Sequence, residues 1–220
     1  MQARLARIIG LLSCALVLPA ANNTTTDVKA VAAAVDAHYN HIQTLEAQFT
    51  QVYRGAGAER TESGTLWLKK PGKMRWEYRS PREKLFVSDG KVVWFYVPDD
   101  RQARKADARK LDDIRSPLAF LLGKAKLEKE LTGLSLAADI PPVDVGDVVL
   151  RGVPQGLEQV GEIVLEVTAD HRITRIVIQD VDGSATEYRF TDQKEGVSVA
   201  DGRFQFRPPE GTETVEGLGP

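Results

Sequence analysis

The sequence predicts a mainly β fold with helices (α+β), an unclosed antiparallel β-barrel of about 10–11 strands with an α-helical lid over its concave apolar face. Most of the chain after Glu46 alternates apolar and polar residues with a period of two, which is typical of strands. Helical periodicity occurs at two places, one near the N-terminus and one in mid-chain. A sheet this long tends to curl, and a curl that does not close leaves a concave apolar face for the helices to cover.

The N-terminus has the order of a secretory signal peptide. Arg4 and Arg7 precede an apolar run at 8–18, and Pro19-Ala20-Ala21 follows that run. The run is shorter than the ~20 apolar residues that a membrane-spanning helix needs. We therefore expect export, with cleavage after Ala20 or Ala21.

Cys14 is the only cysteine of the chain and lies inside this apolar run. Because apolar residues continue the run beyond it, we favour a cleaved signal peptide, and acylation of Cys14 is the alternative. The mature chain then has no cysteine, which excludes disulfides, thiolate catalysis and cysteine metal sites. We expect a signal peptide at 1–21 and one domain at 22–220.

The first helix is predicted after 24–27, which offers several N-cap oxygens. Apolar residues at helical spacings then form one stripe: Val28, Val31, Val35, Ile42 and Leu45. A short helix is predicted at 116–123, which has a cap residue, proline at the first helical position and a terminal glycine. This helix is apolar nearly all round, and another is predicted at 125–131. Both need an apolar surface to cover.

Strand alternation is cleanest at 74–78, where Met74, Trp76 and Tyr78 share one face and charged residues occupy the other. Short loops between successive strands require a mainly antiparallel sheet. The tail at 208–220 is predicted to be loose. The other predicted strands are 49–53, 65–70, 83–88, 91–97, 102–105, 134–138, 145–151, 162–168, 173–179, 186–192 and 204–207.

One turn has a specific prediction. Asp89-Gly90 lies between two apolar runs and indicates a two-residue type I′ hairpin. This turn would pair Val87 with Val92 on one face and Phe86 with Val93 on the other. The register of the hairpin would follow from the turn.

Alternation also assigns the lining of the concave face on the two strands before this hairpin. If Trp76 faces inward, the inward set is Leu66, Leu68, Lys70, Met74, Trp76 and Tyr78. Lys70 then lies at the rim, and Trp67 and Lys69 point outward.

Candidate catalytic and metal-binding residues are few. His38 and His41 share one helix face, but no third histidine or carboxylate lies at ligand spacing, so we favour a solvated face. The acid pairs at 99–100 and 112–113 lie in polar loops, and no Gly-x-Ser-x-Gly motif occurs. We assign no catalytic residue, metal or cofactor. A chain with 31 acidic and 29 basic residues gives no reason to expect a nucleic-acid partner.

Three sequence motifs point to a known family. They are SGTLWLKKPGKMRW at 63–76, LFVSDGK at 85–91 and WFYVP at 94–98. Together they resemble the periplasmic outer-membrane lipoprotein carrier family (LolA). The segments at 49–51, 117–122 and 204–209 fit the same pattern.

The resemblance implies a monomeric periplasmic chaperone that binds the acyl chains of lipoproteins released from the inner membrane and carries them to the outer membrane. The implied partners are acylated lipoproteins as cargo, an inner-membrane lipoprotein-releasing ABC transporter and an outer-membrane lipoprotein acceptor. Each buried CH₂ of an acyl chain contributes ~0.8 kcal/mol. Such a cargo needs shielding in water but must still be released, so the role requires an adaptable pocket and no covalent chemistry.

Together with alternation, the resemblance implies residue roles. Cargo-binding residues would be Phe49, Leu66, Leu68, Met74, Trp76, Tyr78, Leu118, Phe120, Leu121 and Leu122. We expect Phe120 and Leu121 to occupy the cavity when cargo is absent. The family commonly carries an arginine at the position of Lys70, which bonds lid-helix carbonyls. We expect Lys70 to be the lid latch and to bond carbonyls of the helix at 117–123, with an ammonium in place of a guanidinium fork.

Two other readings stay open. One is a lipid-binding half-barrel of the lipoprotein-acceptor or envelope-stress-regulator type, which acylation of Cys14 or an extra domain would favour. The other is a secreted hydrolase of lipids or glycans, for which the sequence offers no set of catalytic residues.

Overall fold

A computed structural model of the chain describes residues 26–109, 121 and 126–217. The signal peptide, Cys14 and most of the helix predicted at 116–123 lie outside these residues. The α-helices within them are α1 (Val28–His41) and α2 (Leu127–Glu130), and Asp201–Phe204 forms a 3₁₀ helix. None of the helices within the described ranges is long and apolar enough to cross a membrane.

The strands form one 12-stranded sheet in the order β12-β6-β5-β4-β3-β2-β1-β11-β10-β9-β8-β7. This order has two free ends, so the sheet is not closed, as predicted. Every neighbouring pair is antiparallel except β12 and β6. The strands are β1 (Thr44–Gly55), β2 (Ala58–Lys69), β3 (Lys73–Ser80), β4 (Lys84–Asp89), β5 (Val92–Val97), β6 (Gln102–Asp107), β7 (Leu131–Leu136), β8 (Val148–Pro154), β9 (Val160–Val167), β10 (Ile173–Asp180), β11 (Ala185–Glu195) and β12 (Glu213–Glu216).

The first helix begins where the sequence predicts and ends earlier. The Asp27 carboxylate accepts hydrogen bonds from the backbone N–H groups of Lys29 and Ala30, which caps the N-terminus of α1. The helix stops at His41, whereas the predicted apolar stripe ran on to Leu45. Leu45 lies in β1 opposite Leu68 and is 2 % exposed. Strand pairing therefore overrides helical periodicity at this residue.

The register of the hairpin between β4 and β5 was predicted wrongly. Val87 lies opposite Trp94, not Val92. The reason is that an Asp89 carboxylate oxygen accepts hydrogen bonds from the N–H groups of Lys91 and Val92, at 2.7 and 2.8 Å, which moves the turn toward the C-terminus. Because the partner shifts by two residues, each side chain keeps its predicted face.

The C-terminal segment also differs from its prediction. Phe204, the first residue of the strand predicted at 204–207, ends a 3₁₀ helix, and residues 205–207 form no strand. The strand β12 forms instead inside the tail predicted to be loose. We call residues 197–217 the C-terminal strap. Phe204 in this strap packs on Trp67, and β12 pairs in parallel with β6 at the sheet edge. The contact of Phe204 with Trp67 thus positions the C-terminal strap on the outer face.

Smaller boundary errors occur between residues 125 and 154. The helix predicted at 125–131 spans only Leu127–Glu130, because Leu131 begins β7 opposite Pro154. The strands predicted at 134–138 and 145–151 lie at Leu131–Leu136 and Val148–Pro154.

The sheet has two differently covered faces. We call the face on which α1 packs the inner face and the opposite one the outer face. On the inner face lies the largest buried cluster, which takes side chains from α1, from α2 and from most strands. On the outer face, Trp67 packs with Val199 and Phe204, and Ala137 packs with Val149 and Val164. Trp67 therefore points outward, as alternation predicts.

Candidate lipid-binding site

A row of aromatic rings forms the centre of the inner face. The Phe49 ring centroid lies 4.8 Å from that of Trp76 and 4.9 Å from that of Tyr78, in edge-to-face geometry. Trp76 in turn lies 5.9 Å from Tyr188 and 6.2 Å from Phe190. Register explains the row, because Phe49 pairs with Phe190 across β1 and β11.

Gly64 makes room for this row. It lies opposite Phe49 in β1 and opposite Tyr78 in β3, where the register shifts. A Cβ atom at this position would lie 1.8 Å from the carbonyl oxygen of Glu77. A glycine inside a strand is typical of such a close backbone approach, and it is the sequence signal that could have located the centre of the row.

The predicted cargo-binding residues converge on this face wherever the structure describes them. The following belong to the inner cluster or pack against it: Phe49, Leu66, Leu68, Met74, Trp76, Tyr78 and Leu121. Leu118, Phe120 and Leu122 lie outside the described residues. Leu121 is 2 % exposed and belongs to the inner cluster.

Helix α1 closes the inner face with small and aromatic side chains. Ala32, Val35 and Tyr39 are all buried in the inner cluster. The Tyr39 hydroxyl accepts a hydrogen bond of 2.9 Å from the N–H of Ile173, the first residue of β10. Burial raises the pKa of the Tyr39 hydroxyl well above its usual value.

Lys70 holds the C-terminal end of α1. Its Nζ donates hydrogen bonds to the carbonyl oxygens of Tyr39 and Asn40, the latter at 3.1 Å. The last carbonyls of a helix have no partner within the helix and carry partial negative charge, so an ammonium group suits them. Partial burial lowers the pKa of Lys70. These acceptor carbonyls lie on α1, whereas we predicted that Lys70 bonds carbonyls of the helix at 117–123.

Two further contacts fasten the helical cover. An Asp36 carboxylate oxygen accepts a hydrogen bond of 3.1 Å from the N–H of Leu127 and so caps α2. Burial raises the pKa of Asp36 above its usual value. His38 Nε2 lies 2.9 Å from a carboxylate oxygen of Glu195 in β11. His38 thus bonds the sheet rather than facing solvent alone.

The two ends of the inner face differ in the volume of their cavities and in the polarity of the residues that line them. At the end near Lys70, the space between Leu45, Leu68 and Leu121 is a cavity of about 10 Å³, at the lower limit for holding one water molecule. At the other end lies a cavity of about 200 Å³, which we call the polar mouth. Its lining residues are Gln51, Tyr53, Arg60, Glu62 and Lys84.

The polar mouth adjoins the aromatic row directly. The Tyr78 hydroxyl donates a 2.8 Å hydrogen bond to Gln51 Oε1, and Lys84 Nζ lies 4.5 Å from the centre of the Tyr78 ring. Lys84 also contacts both carboxylate oxygens of Glu62, at 2.5 and 2.6 Å. Sequence reasoning missed this cavity, although alternation from Phe49 places Gln51 on the same face.

A group of three acids lies outside this site. Carboxylate oxygens of Asp144, Asp147 and Glu166 lie within 4.8 Å of one another. Glu166 already has partners in the protein, because Oε1 accepts hydrogen bonds from the N–H groups of Val143 and Asp144 and Oε2 forms an ion pair of 2.7 Å with Arg175 Nε. We therefore read the group as structural and assign it no metal.

Comparison with known proteins gives a family match. The family model described as "Outer membrane lipoprotein carrier protein LolA" matches residues 40–207. A protein of Chromobacterium violaceum named "Outer-membrane lipoprotein carrier protein" is 30 % identical over 178 residues, which is 80 % of this chain and 82 % of that protein. A protein of Azotobacter vinelandii with the same name is 29 % identical over 218 residues, covering 97 % of this chain and 99 % of the other.

One solved structure supports the fold. An uncharacterized conserved protein from Thermus thermophilus superposes with a TM-score of 0.56 at 15 % identity. The match covers 87 % of this chain and 100 % of that chain. At this identity the likeness extends to the fold alone.

Proposed function

Because the chain belongs to the LolA family of outer-membrane lipoprotein carrier proteins, we propose that it is a periplasmic chaperone that binds the acyl chains of lipoproteins and carries them between membranes. The cargo would be acylated lipoproteins. An inner-membrane lipoprotein-releasing ABC transporter would supply them, and an outer-membrane acceptor would receive them. The signal peptide at 1–21 would direct the export.

The observation that carries this proposal is an apolar inner face covered by a helix that side chains hold in place. Leu66 and Trp76 are 0 % and 2 % exposed and belong to the same buried cluster as Ala32, Val35 and Tyr39 of α1. Burying a long acyl chain is worth ~0.8 kcal/mol per CH₂. The fastenings of α1 that we describe, at Lys70, Tyr39, Asp36 and His38, are hydrogen bonds or ion pairs worth about 0.5–3 kcal/mol each. Acyl chains could therefore replace α1 on the sheet.

Exchange of one apolar partner for another makes release possible. When α1 and Leu121 return to the inner face, they bury apolar area that the departing cargo leaves exposed. The net free energy of binding is then the free energy of burying the acyl chains minus the free energy of burying the apolar side chains of α1 and Leu121. This difference is much smaller than either contribution. This scheme needs no covalent step, and we assign the chain no catalytic residue.

The test is release of a tri-acylated lipoprotein from isolated inner membranes that contain the transporter and ATP. We expect the purified chain to recover the lipoprotein in a soluble complex of the two proteins, identified by mass spectrometry. If lipoprotein stays in the membrane fraction at every concentration of the chain, the proposal is wrong. Leu121→Glu should weaken recovery, and Leu136→Glu is the matched control because Leu136 is 37 % exposed on an edge strand.

A further inference from the structure

The polar mouth points to an orientation of the cargo that the family match does not supply. Resting on the function proposed above, we propose that the mouth binds the polar branch of the cargo, the ester and amide groups that join the acyl chains to the peptide. The acyl chains then lie along the aromatic row, with their ends toward Lys70. The peptide leaves the protein at the mouth.

The first support is the gradient of polarity along the inner face. Apolar residues line it from Leu45 to Phe49, and the inward residues beyond are Gln51 and Tyr53. At about 3.3 Å per residue, the six steps along the chain from Leu45 to Gln51 span about 20 Å, comparable to an extended long acyl chain. An amphiphile bound to this face can place its apolar part on apolar residues and its polar part on polar residues in only one orientation.

The second support is the exposure of the apolar residues beside the mouth. At the Lys70 end Leu45, Leu68 and Leu121 are buried and Ile42 is partly buried. The apolar side chains of the inner cluster next to the mouth are all only half-buried: Tyr78, Phe86, Ile178 and Tyr188. The space at the Lys70 end is about 10 Å³, against about 200 Å³ at the mouth. Among the residues that the structure describes, the mouth is therefore the end at which a ligand enters with the least rearrangement.

The third support is the hydrogen-bonding chemistry of the mouth. Gln51 accepts from Tyr78 through Oε1, which leaves its amide N–H groups as donors. Arg60 is exposed, and its guanidinium carbon lies 4.8 Å from the centre of the Tyr53 ring. Donors therefore predominate, and carbonyl oxygens of esters and amides are their natural acceptors.

Glu62 sets the charge of the mouth. Both carboxylate oxygens of Glu62 contact Lys84 and neutralise its charge. Because the lining contains two cations and one carboxylate, its net charge is +1, which resides on Arg60. This balance suits a neutral group rich in acceptors better than it suits a multiply charged one. Lys84 remains over the Tyr78 ring, at the boundary between the polar and apolar parts.

The direct test uses two photoreactive versions of a synthetic tri-acylated cysteinyl peptide. One carries a diazirine in the peptide next to the cysteine, and the other carries it at the end of an acyl chain. Mass spectrometry of the cross-linked wild-type chain should place the first label on residues of the mouth, and the second near Leu45 and Leu68. The reverse distribution, or the same distribution for both probes, overturns the proposed orientation.

A second test measures affinity. Arg60→Gln should weaken binding of the lipopeptide about three- to tenfold, since an exposed charge-assisted hydrogen bond is lost. It should leave binding of a hydrocarbon probe without a polar head unchanged. Arg79→Gln is the control, because Arg79 is an exposed arginine on the outer face of β3.

The outcomes separate the two proposals. If lipopeptide binds but Arg60→Gln behaves like Arg79→Gln and the peptide-side probe labels another region, the orientation is wrong and the carrier function stands. If the wild-type chain binds no lipopeptide at all, both proposals are wrong.

Discussion

The side-chain nitrogen of Lys70 lies 3.1 Å from the carbonyl oxygen of Asn40 and also bonds the carbonyl of Tyr39. One ammonium group thereby ties the sheet to the last turn of α1. An arginine at this position would present a planar fork of donors to the same carbonyls. Lysine keeps the positive charge but lacks the fixed donor geometry of arginine. The contribution of Lys70 to holding α1 on the sheet must therefore be measured against the other contacts of α1.

Replacing Lys70 tests whether this tie keeps α1 closed. We expect Lys70→Leu to raise the hydrogen-exchange rates of α1 about 3- to 10-fold, because a partly exposed charge-assisted bond is worth ~1 kcal/mol. Lys70→Arg should restore or exceed wild-type protection. Lys69→Leu is the matched control, since Lys69 bonds Val199 and Asp201 in the C-terminal strap. Equal exchange of α1 in wild type and Lys70→Leu would refute the latch.

Tyr39 provides a second fastening. Tyr39→Phe removes the only atom that accepts the buried N–H of Ile173 in the contacts described above. We expect the free energy of unfolding to fall by ~1–3 kcal/mol, since an unsatisfied buried donor keeps its full desolvation cost. Urea denaturation followed by circular dichroism measures this change. Tyr53→Phe, in the half-buried polar mouth, should change it by less than half as much.

Asp36 should make stability depend on pH. Burial raises its folded pKa above 3.8, so its contribution to folding is fully present below that value and is lost as the pH rises through the folded pKa. Asp36→Asn keeps an oxygen that can accept the Leu127 N–H and removes the partly buried charge. The variant should therefore be at least as stable as wild type at pH 7, with a flatter pH profile in the acid range. Asp36→Ala, which loses the acceptor, should be less stable at every pH.

Asp201 should titrate in the opposite sense. Ion pairs with Lys69 and Lys73, at 2.7 and 2.9 Å, lower its pKa to about 2 from 3.8. A depressed folded pKa means that the contribution is present above 3.8 and is lost as the pH falls toward 2. NMR should show the 3₁₀ helix of the strap loosening in this window. In Asp201→Asn the loosening should already be present at pH 7, and a strap whose NMR signals do not change with pH would contradict the ion pairs.

The periodicity of the sequence was enough for the class of fold and for the faces of the central strands. Successive side chains of a strand point to opposite faces of the sheet, and this alternation does not depend on which strands are its neighbours. Leu66, Met74 and Trp76 could therefore be assigned to one face and Trp67 to the other. The cap at Asp27 could be read in the same way, because capping involves only residues close in sequence. Family motifs in the same region then indicated the ligand class.

Contacts between residues distant in sequence were beyond such reasoning. The partners of Lys70 on α1, the bond from Ile173 to Tyr39 and the seat of Phe204 on Trp67 each depend on which surfaces meet after folding. The polar mouth is of the same kind, since it joins Gln51 of β1 with Glu62 of β2 and Lys84 of β4. An open β-sheet with an apolar face and a helix to cover it could be predicted before folding was considered, because local periodicity encodes burial. The contacts that hold this helix and the polar end of the face emerge from the folded arrangement, because hydrogen bonds and ion pairs require their partners to meet within about 3–4 Å.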